Sequence, residues 1–99
     1  MRREDEPSGH RHARLQSLIL EELRALLRDD VSDPALTDVV VAAVVLSIDY
    51  RHARVHYTSA DRHRADAALA RATPFFRARL GEAIDLKRVP DLRFVFDAA

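Results

Sequence analysis

Residues 39–59 read VVVAAVVLSIDYRHARVHYTS, and the change of pattern inside this stretch decides the fold. From Val39 to Ile48 the density of β-branched side chains points to a strand, yet the polar residues that should alternate with core residues are nearly absent. Either both faces are covered, or a bulge shifts the phase midway and turns valines toward a partner; the covered arrangement is the one expected. Asp49, Tyr50, Arg51 and His52 then make a turn. Beyond it Ala53, Val55, Tyr57 and Ser59 alternate with Arg54, His56 and Thr58, which gives a second strand with one apolar and one basic face.

Upstream of this hairpin, Leu15, Leu18, Ile19, Leu23, Leu26 and Leu27 recur three and four apart, the spacing of an amphipathic helix running from Arg14 to about Arg28. Asp29, Asp30, Ser32, Asp33 and Pro34 stop it, because proline lacks an amide hydrogen and pushes Asp33 out of helical geometry. Residues 1–13 hold almost no apolar surface and are expected to be a flexible arm. Downstream, Ala65, Ala68, Leu69, Ala72, Phe75, Phe76, Leu80, Ala83 and Ile84 continue one helical period through Pro74. Threonine is a good N-cap and proline is favoured just after one, so Thr73 and Pro74 are read as the start of a new helix, with a bend at Ala72, Thr73 and Pro74. Leu86 to Asp91 form a loop with Lys87, Arg88 and Pro90. Leu92, Phe94 and Phe96 then share one face of a third strand. The expected order is helix, strand, strand, helix, helix, strand: an α+β domain with helices packed on one face of a three-stranded sheet.

Length and composition narrow the function. Ninety-nine residues suit a single core. Two glycines, Gly9 and Gly81, exclude a glycine-rich phosphate loop, and the lack of cysteine excludes disulfides and thiolate metal sites. No apolar run is long enough to span a bilayer and the N-terminus lacks a secretory signal, so a cytoplasmic protein without membrane attachment is expected. The formal net charge of zero conceals an asymmetry. Residues 15–50 hold two cations against seven carboxylates, whereas residues 51–90 hold nine against four. Fifteen of the sixteen cations are arginine, whose planar fork suits phosphate oxygens. A polyanionic partner and a plain compositional bias toward arginine both account for this.

His52 and His56 stand four apart beside His63, but four residues along a strand span about 13 Å, too far for two ligands of one zinc ion. No metal or other cofactor is expected. Ser47, Ser59, Asp49 and His52 belong to no catalytic motif, and no enzymatic activity is expected. The basic block is more coherent. Arg54 and His56 project from one strand face, Arg62 and Arg64 lie just past its end, and Arg71 follows Arg64 by two helical turns. Such a strip would bind nucleic acid by counterion release, unless it is an ordinary solvated helix face.

The ordered set LQSLILEELRALL, then Val31-Ser32-Asp33-Pro34-Ala35-Leu36, VVLSIDYRHARVHYTS and ALARATPFFRARLGEAIDLKRVPDLRFVFD resembles the ribosome-binding factor A family over residues 14–97. The resemblance implies a type II KH-like RNA-binding domain over residues 14–99, in the element order already given. It also implies association with the free small ribosomal subunit and its 16S RNA in late maturation, support for processing of the RNA 5′ end, a role in the cold, and action by binding as a monomer. The family carries an Ala-x-Gly bend where other KH domains clamp the backbone with Gly-x-x-Gly. The matching residues here are Ala72, Thr73 and Pro74, and Pro74 removes an amide donor from that spot. The expected RNA-binding residues are accordingly Arg54, Arg62, Arg64, Arg71, Thr73, Lys87 and Arg88, with the bend structural. A protein-interaction module docking through the acidic first helix or the valine-rich sheet is the alternative.

Overall fold

In the computed structural model, which describes residues 7–98, the hairpin forms as β1 (Val40–Leu46) and β2 (His52–Thr58). β2 obeys its alternation: Ala53, Val55 and Tyr57 are fully buried, and Arg54 and His56 face the other way. β1 does not have both faces covered. Val41 pairs with Tyr57 but Ala43 with His56, so Ala42 is an extra residue, and this bulge changes which side chains point inward. Val39 and Val41 are buried before it and Val44 and Leu46 after it, while Val40 and Val45 remain 57% and 40% exposed. The helices cover only one side of the sheet, so a strand without polar alternation leaves valines on the other.

The first helix, α1 (Pro7–Asp29), begins seven residues earlier than the apolar period indicates. Of the expected arm, residues 1–6 lie outside the described residues, whereas residues 7–13 are helical. Ile19, Leu23 and Leu26 bury against the sheet, although Leu18 stays largely exposed. Three polar side chains on one flank tie α1 to β1, and His12 among them holds the added N-terminal turns. His12 Nε2 donates to the carbonyls of Leu46 (2.8 Å) and Ser47 (3.2 Å). Gln16 Oε1 accepts from the Leu46 amide at 2.9 Å, and Arg24 Nε donates to the Val41 carbonyl at 2.9 Å. Residues 12, 16 and 24 are multiples of four apart and lie along one side of a helix, so α1 caps the backbone groups of β1 that have no neighbouring strand.

After a single 3-10 turn (Pro34–Leu36), the hairpin leads into α2 (Arg62–Ala83) and then β3 (Asp91–Phe96). The sheet order is β1-β2-β3, with β2 antiparallel to β1 and parallel to β3. A parallel pair needs a long crossover, which α2 provides. Asp61 caps its start by accepting from the Arg64 amide at 3.1 Å. The expected break at Thr73 and Pro74 is absent: α2 is one helix with Pro74 inside it. Pro74 removes a single rung of the ladder. Ala65, Ala68 and Leu69 before it and Phe76 and Leu80 after it form one buried stripe that holds both halves in line. Thr73 is not a cap either; its hydroxyl donates to the Leu69 carbonyl at 2.8 Å. Among the described residues there are therefore two long helices rather than three.

The core closes on aromatic rings. Tyr57 meets Phe96 edge-on at 5.7 Å, and Phe76 lies 5.9 Å from Phe94. The Tyr57 hydroxyl donates to the Asp66 carboxylate, and burial, aided by that bond, pushes its pKa from 10.0 up to about 12. Replacing Pro74 by alanine restores a donor for the Ala70 carbonyl and should stabilise the protein by roughly 1–3 kcal/mol, read as a higher Tm in thermal unfolding. An unchanged or lower Tm would mean that the proline ring packs well enough to offset its lost hydrogen bond.

Candidate nucleic-acid interface

The expected basic strip along α2 is interrupted by carboxylates. Arg62 pairs with Asp66 at 3.7 Å, and its guanidinium lies 5.3 Å over the Phe96 ring. Arg71 reaches Asp33 at 3.3 Å. Farther along, Arg79 pairs with Asp30 at 3.1 Å and Glu82 at 3.4 Å. Arg77 clamps the following loop through the Val89 carbonyl (3.0 Å) and the Pro90 carbonyl (3.3 Å). At the expected bend, Ala72 shares a cleft with Asp30, Asp33, Arg71 and Phe75. Two carboxylates border this spot, the Thr73 hydroxyl is engaged, and Pro74 has no amide hydrogen, so nothing on this stretch of backbone offers a phosphate an open donor.

Arg54, Arg64, Lys87 and Arg88 form no ion pair among the described residues, nor do Arg51 and Arg93. They fall into three places. Arg64 stands alone in the first turn of α2. Arg54 is directly paired with Arg93 in the β2–β3 register on the uncovered sheet face, between His52 and His56 of the central strand. Lys87 and Arg88 meet Arg51 around a cleft also lined by Asp49, Tyr50 and Leu86. The last grouping follows from backbone placement. The Asp91 amide donates to the Arg51 carbonyl at 2.9 Å, joining the β1–β2 turn to the end of the α2–β3 loop. A Cβ at Gly81 would sit 3.2 Å from Val89 Cγ2, so glycine there lets the loop close down on the helix.

The sequence reading names Lys87 and Arg88 but misses their neighbours Arg51 and Tyr50, as well as Arg93. Arg93 was legible, since period two from Leu92, Phe94 and Phe96 sets it on the outer face. Arg51 was hidden in a turn whose tertiary contacts no local pattern reports. Among the described residues no three His, Asp or Glu side chains gather as metal ligands. His56 Nδ1 lies instead 3.0 Å from Asp97 Oδ1, and His52 Nδ1 4.0 Å from Asp91.

Three carboxylates tie the connections of this frame. Asp33 accepts from the Ala35 amide at 2.9 Å, which with Arg71 lowers its pKa below 3.8. Asp38 accepts from the Ala60 amide (2.7 Å) and the Ser59 hydroxyl (3.1 Å), which lower its pKa and join the start of β1 to the entry of α2. Asp49 is lowered chiefly by the Ser47 hydroxyl, 2.7 Å away. A carboxylate with a lowered folded-state pKa stabilises above its unfolded value and loses that contribution as pH falls through the folded one. Urea midpoints should therefore fall between neutral pH and a pH well below 3.8. The fall should be smaller in Asp38→Ala; an identical fall would deny this joint a role in acid stability.

Together these features define an α+β domain in which two helices back one face of a three-stranded sheet and cations collect at one end and on the bare face. The chain belongs to the ribosome-binding factor A family, whose model matches residues 11–99. It is 40% identical over 98 residues to ribosome-binding factor A of Vesicomyosocius okutanii, covering 97% of this chain and 86% of that protein. The Heliobacterium modesticaldum protein is 40% identical over 94 residues, covering 91% and 78%. The crystal structure of ribosome-binding factor A from Thermus thermophilus superposes with a TM-score of 0.70 at 30% identity, covering 90% of this chain and 93% of that one. A homology model of the Thermus thermophilus factor, fitted into a cryo-EM map of a 30S complex, gives a TM-score of 0.64 at 31% identity, with 87% and 90% covered.

Proposed function

We propose that this chain is a cytoplasmic, monomeric assembly factor with a type II KH-like fold that binds the small ribosomal subunit and its 16S RNA during late maturation. It supports processing of the RNA 5′ end, with most effect in the cold, and acts by binding rather than by turnover. The observation that carries this reading is the fit of a 31%-identical relative of the same fold into a 30S complex. The chemistry agrees. Unpaired guanidinium and ammonium groups release counterions from phosphates on binding, and the affinity then falls as salt rises. Of the residues read from sequence, Arg54, Arg64, Lys87 and Arg88 are free to do this, and Arg51 and Arg93 extend the set. Arg62 and Arg71 would have to exchange a carboxylate for a phosphate, and Thr73 a carbonyl, so their contribution is smaller.

Sedimentation of cell extract tests this directly. The protein should travel with free small subunits and leave them at high salt; travel with fully assembled ribosomes instead would overturn a maturation role. The joint variant Lys87→Ala, Arg88→Ala should release at lower salt than the native chain, whereas Arg71→Ala should release near the native concentration. A reversed ranking would place the contact on the α2 flank.

The second reading, docking of a protein on the uncovered sheet, is favoured by one observation: Val40 and Val45 point outward from β1, 57% and 40% exposed. Val45→Lys should fold normally, since its side chain stands opposite Arg54 in solvent. If that folded variant no longer joins small subunits, the sheet face is the docking surface; unchanged association removes this reading.

A further inference from the structure

The β1–β2 turn holds a tyrosine where a tyrosine is disfavoured. Tyr50 has φ = 66°, the only non-glycine in the left-handed region among the described residues. For a bulky side chain that conformation costs about 1–3 kcal/mol and persists only where surrounding bonds over-determine it. Here they do. The Tyr50 amide donates to the Ser47 carbonyl at 3.0 Å and the Ser47 amide to the His52 carbonyl at 2.8 Å. Asp49 Oδ1 accepts from the Arg51 amide (3.1 Å), and the Ser47 hydroxyl accepts from the His52 amide (3.0 Å). Glycine would fill this position without strain; the tyrosine brings a ring that packs partly against the hydrophobic core.

The ring is placed at a junction. It is half-buried, its plane stands at 74° to the His12 ring with the centroids 5.4 Å apart, and it borders two concavities at once. One is the cleft holding Arg51, Lys87 and Arg88. The other is a groove of some 560 Å³ with apolar walls from Leu15, Leu18, Ile84 and Leu86 and with Arg11, Arg14 and Lys87 at its rim. The two concavities share five cations and only two carboxylates, Asp49 and Asp85. Asp49 Oδ1 is engaged within the turn, accepting from the Ser47 hydroxyl and the Arg51 amide. At the tip of the same turn Ile48 is 91% exposed, an apolar side chain held out beside the charges.

From this arrangement we infer that Tyr50 is a stacking platform for an unpaired RNA base, with Arg51, Lys87 and Arg88 holding the phosphates on either side of that nucleotide. Resting on the ribosomal-RNA reading above, it specifies the partner as a single-stranded segment. Single strands are held by aromatic faces inside positively charged grooves, and stacking contributes without demanding a particular base. In a duplex the bases are stacked on each other and the ring cannot reach them. A phosphate-bearing partner is favoured because five cations face only two carboxylates around the ring.

Fluorescence anisotropy with a labelled oligouridine of about ten nucleotides reads the inference out. The native chain should bind it at least about tenfold more tightly than a blunt RNA duplex of equal length. Tyr50→Phe should bind like the native chain. Tyr50→Leu keeps part of the apolar packing but lacks the flat ring, and should lose about tenfold in affinity while retaining the native circular dichroism spectrum at the assay temperature. Lys87→Ala with Arg88→Ala should flatten the slope of log affinity against log salt by about 1.4, near 0.7 for each charge on a single strand. Equal binding by Tyr50→Leu and the native chain overturns the platform, as does a preference for duplex. If the native chain ignores the oligonucleotide yet still joins small subunits in a salt-sensitive way, the platform fails and the ribosomal reading stands. If it joins neither, both fail. If Tyr50→Leu weakens subunit association but not oligonucleotide binding, the ring serves a protein contact and the inference is overturned.

Discussion

Burial of one face of β2 is the constraint from which the remaining geometry follows. Ala53, Val55 and Tyr57 are wholly removed from solvent, and each lies on the central strand with a neighbour on both sides. Because β3 runs parallel to β2, the chain must cross over the sheet between them, and α2 does so on the face those three residues create. β1 must match the same face with too few polar residues to guide it, and the bulge at Ala42 lets both of its halves contribute valine or leucine inward. The basic side chains of β2 are then on the outer face by geometry alone. Arg54 cannot join a surface made by α2, since strand and helix meet through the opposite sides of the sheet.

Elements governed by short-range periodicity were legible in the sequence; features that depend on tertiary contacts were not. β2 and the inward face of β3 follow from period two, and α1 and α2 from spacings of three and four. The helix through Pro74 shows where a local rule is outweighed. A cap signal at Thr73 is worth about 1 kcal/mol, whereas Phe76 and Leu80 beyond it bury apolar side chains worth about 1.5–3 kcal/mol each. Continuing the helix keeps that stripe aligned with Leu69 and Ala68. The early start of α1 had a similar cause. No large apolar side chain lies between Pro7 and Leu15, and what holds the first turns includes a hydrogen bond from His12 to a carbonyl 34 residues later.

The candidate site was legible only in part because charge counting along the chain ignores pairing across it. The nine cations between residues 51 and 90 suggested one strip. Folding brings the acidic segment Asp29–Asp33 alongside α2, where Asp30 and Asp33 engage Arg79 and Arg71. Those cations bind the structure together. Apart from Arg64 in the first turn of α2, the ones left over belong to the turn after β1, the loop before β3 and the outer sheet face, where no acidic stretch of sequence returns. Lys87 and Arg88 could be read because proline and charge mark their loop. Arg51 and Tyr50 needed the parallel pairing of β3 with β2, which brings residue 51 against residue 91.

This segregation bears on how a chain of zero net charge could approach a polyanion. At physiological ionic strength charges are screened within about 8 Å, so the total matters less than what each end presents. Along α1, Arg11 and Asp29 are 18 residues apart, which at ~1.5 Å per residue separates them by about 27 Å. The basic end gathers Arg11, Arg14, Arg51, Lys87 and Arg88, while the opposite end carries Asp29, Asp30 and Asp33, each paired with an arginine. Such a molecule has little long-range attraction for RNA as a whole but a strong orientational preference close to it. Its grip then depends on a few local contacts instead of a large net charge.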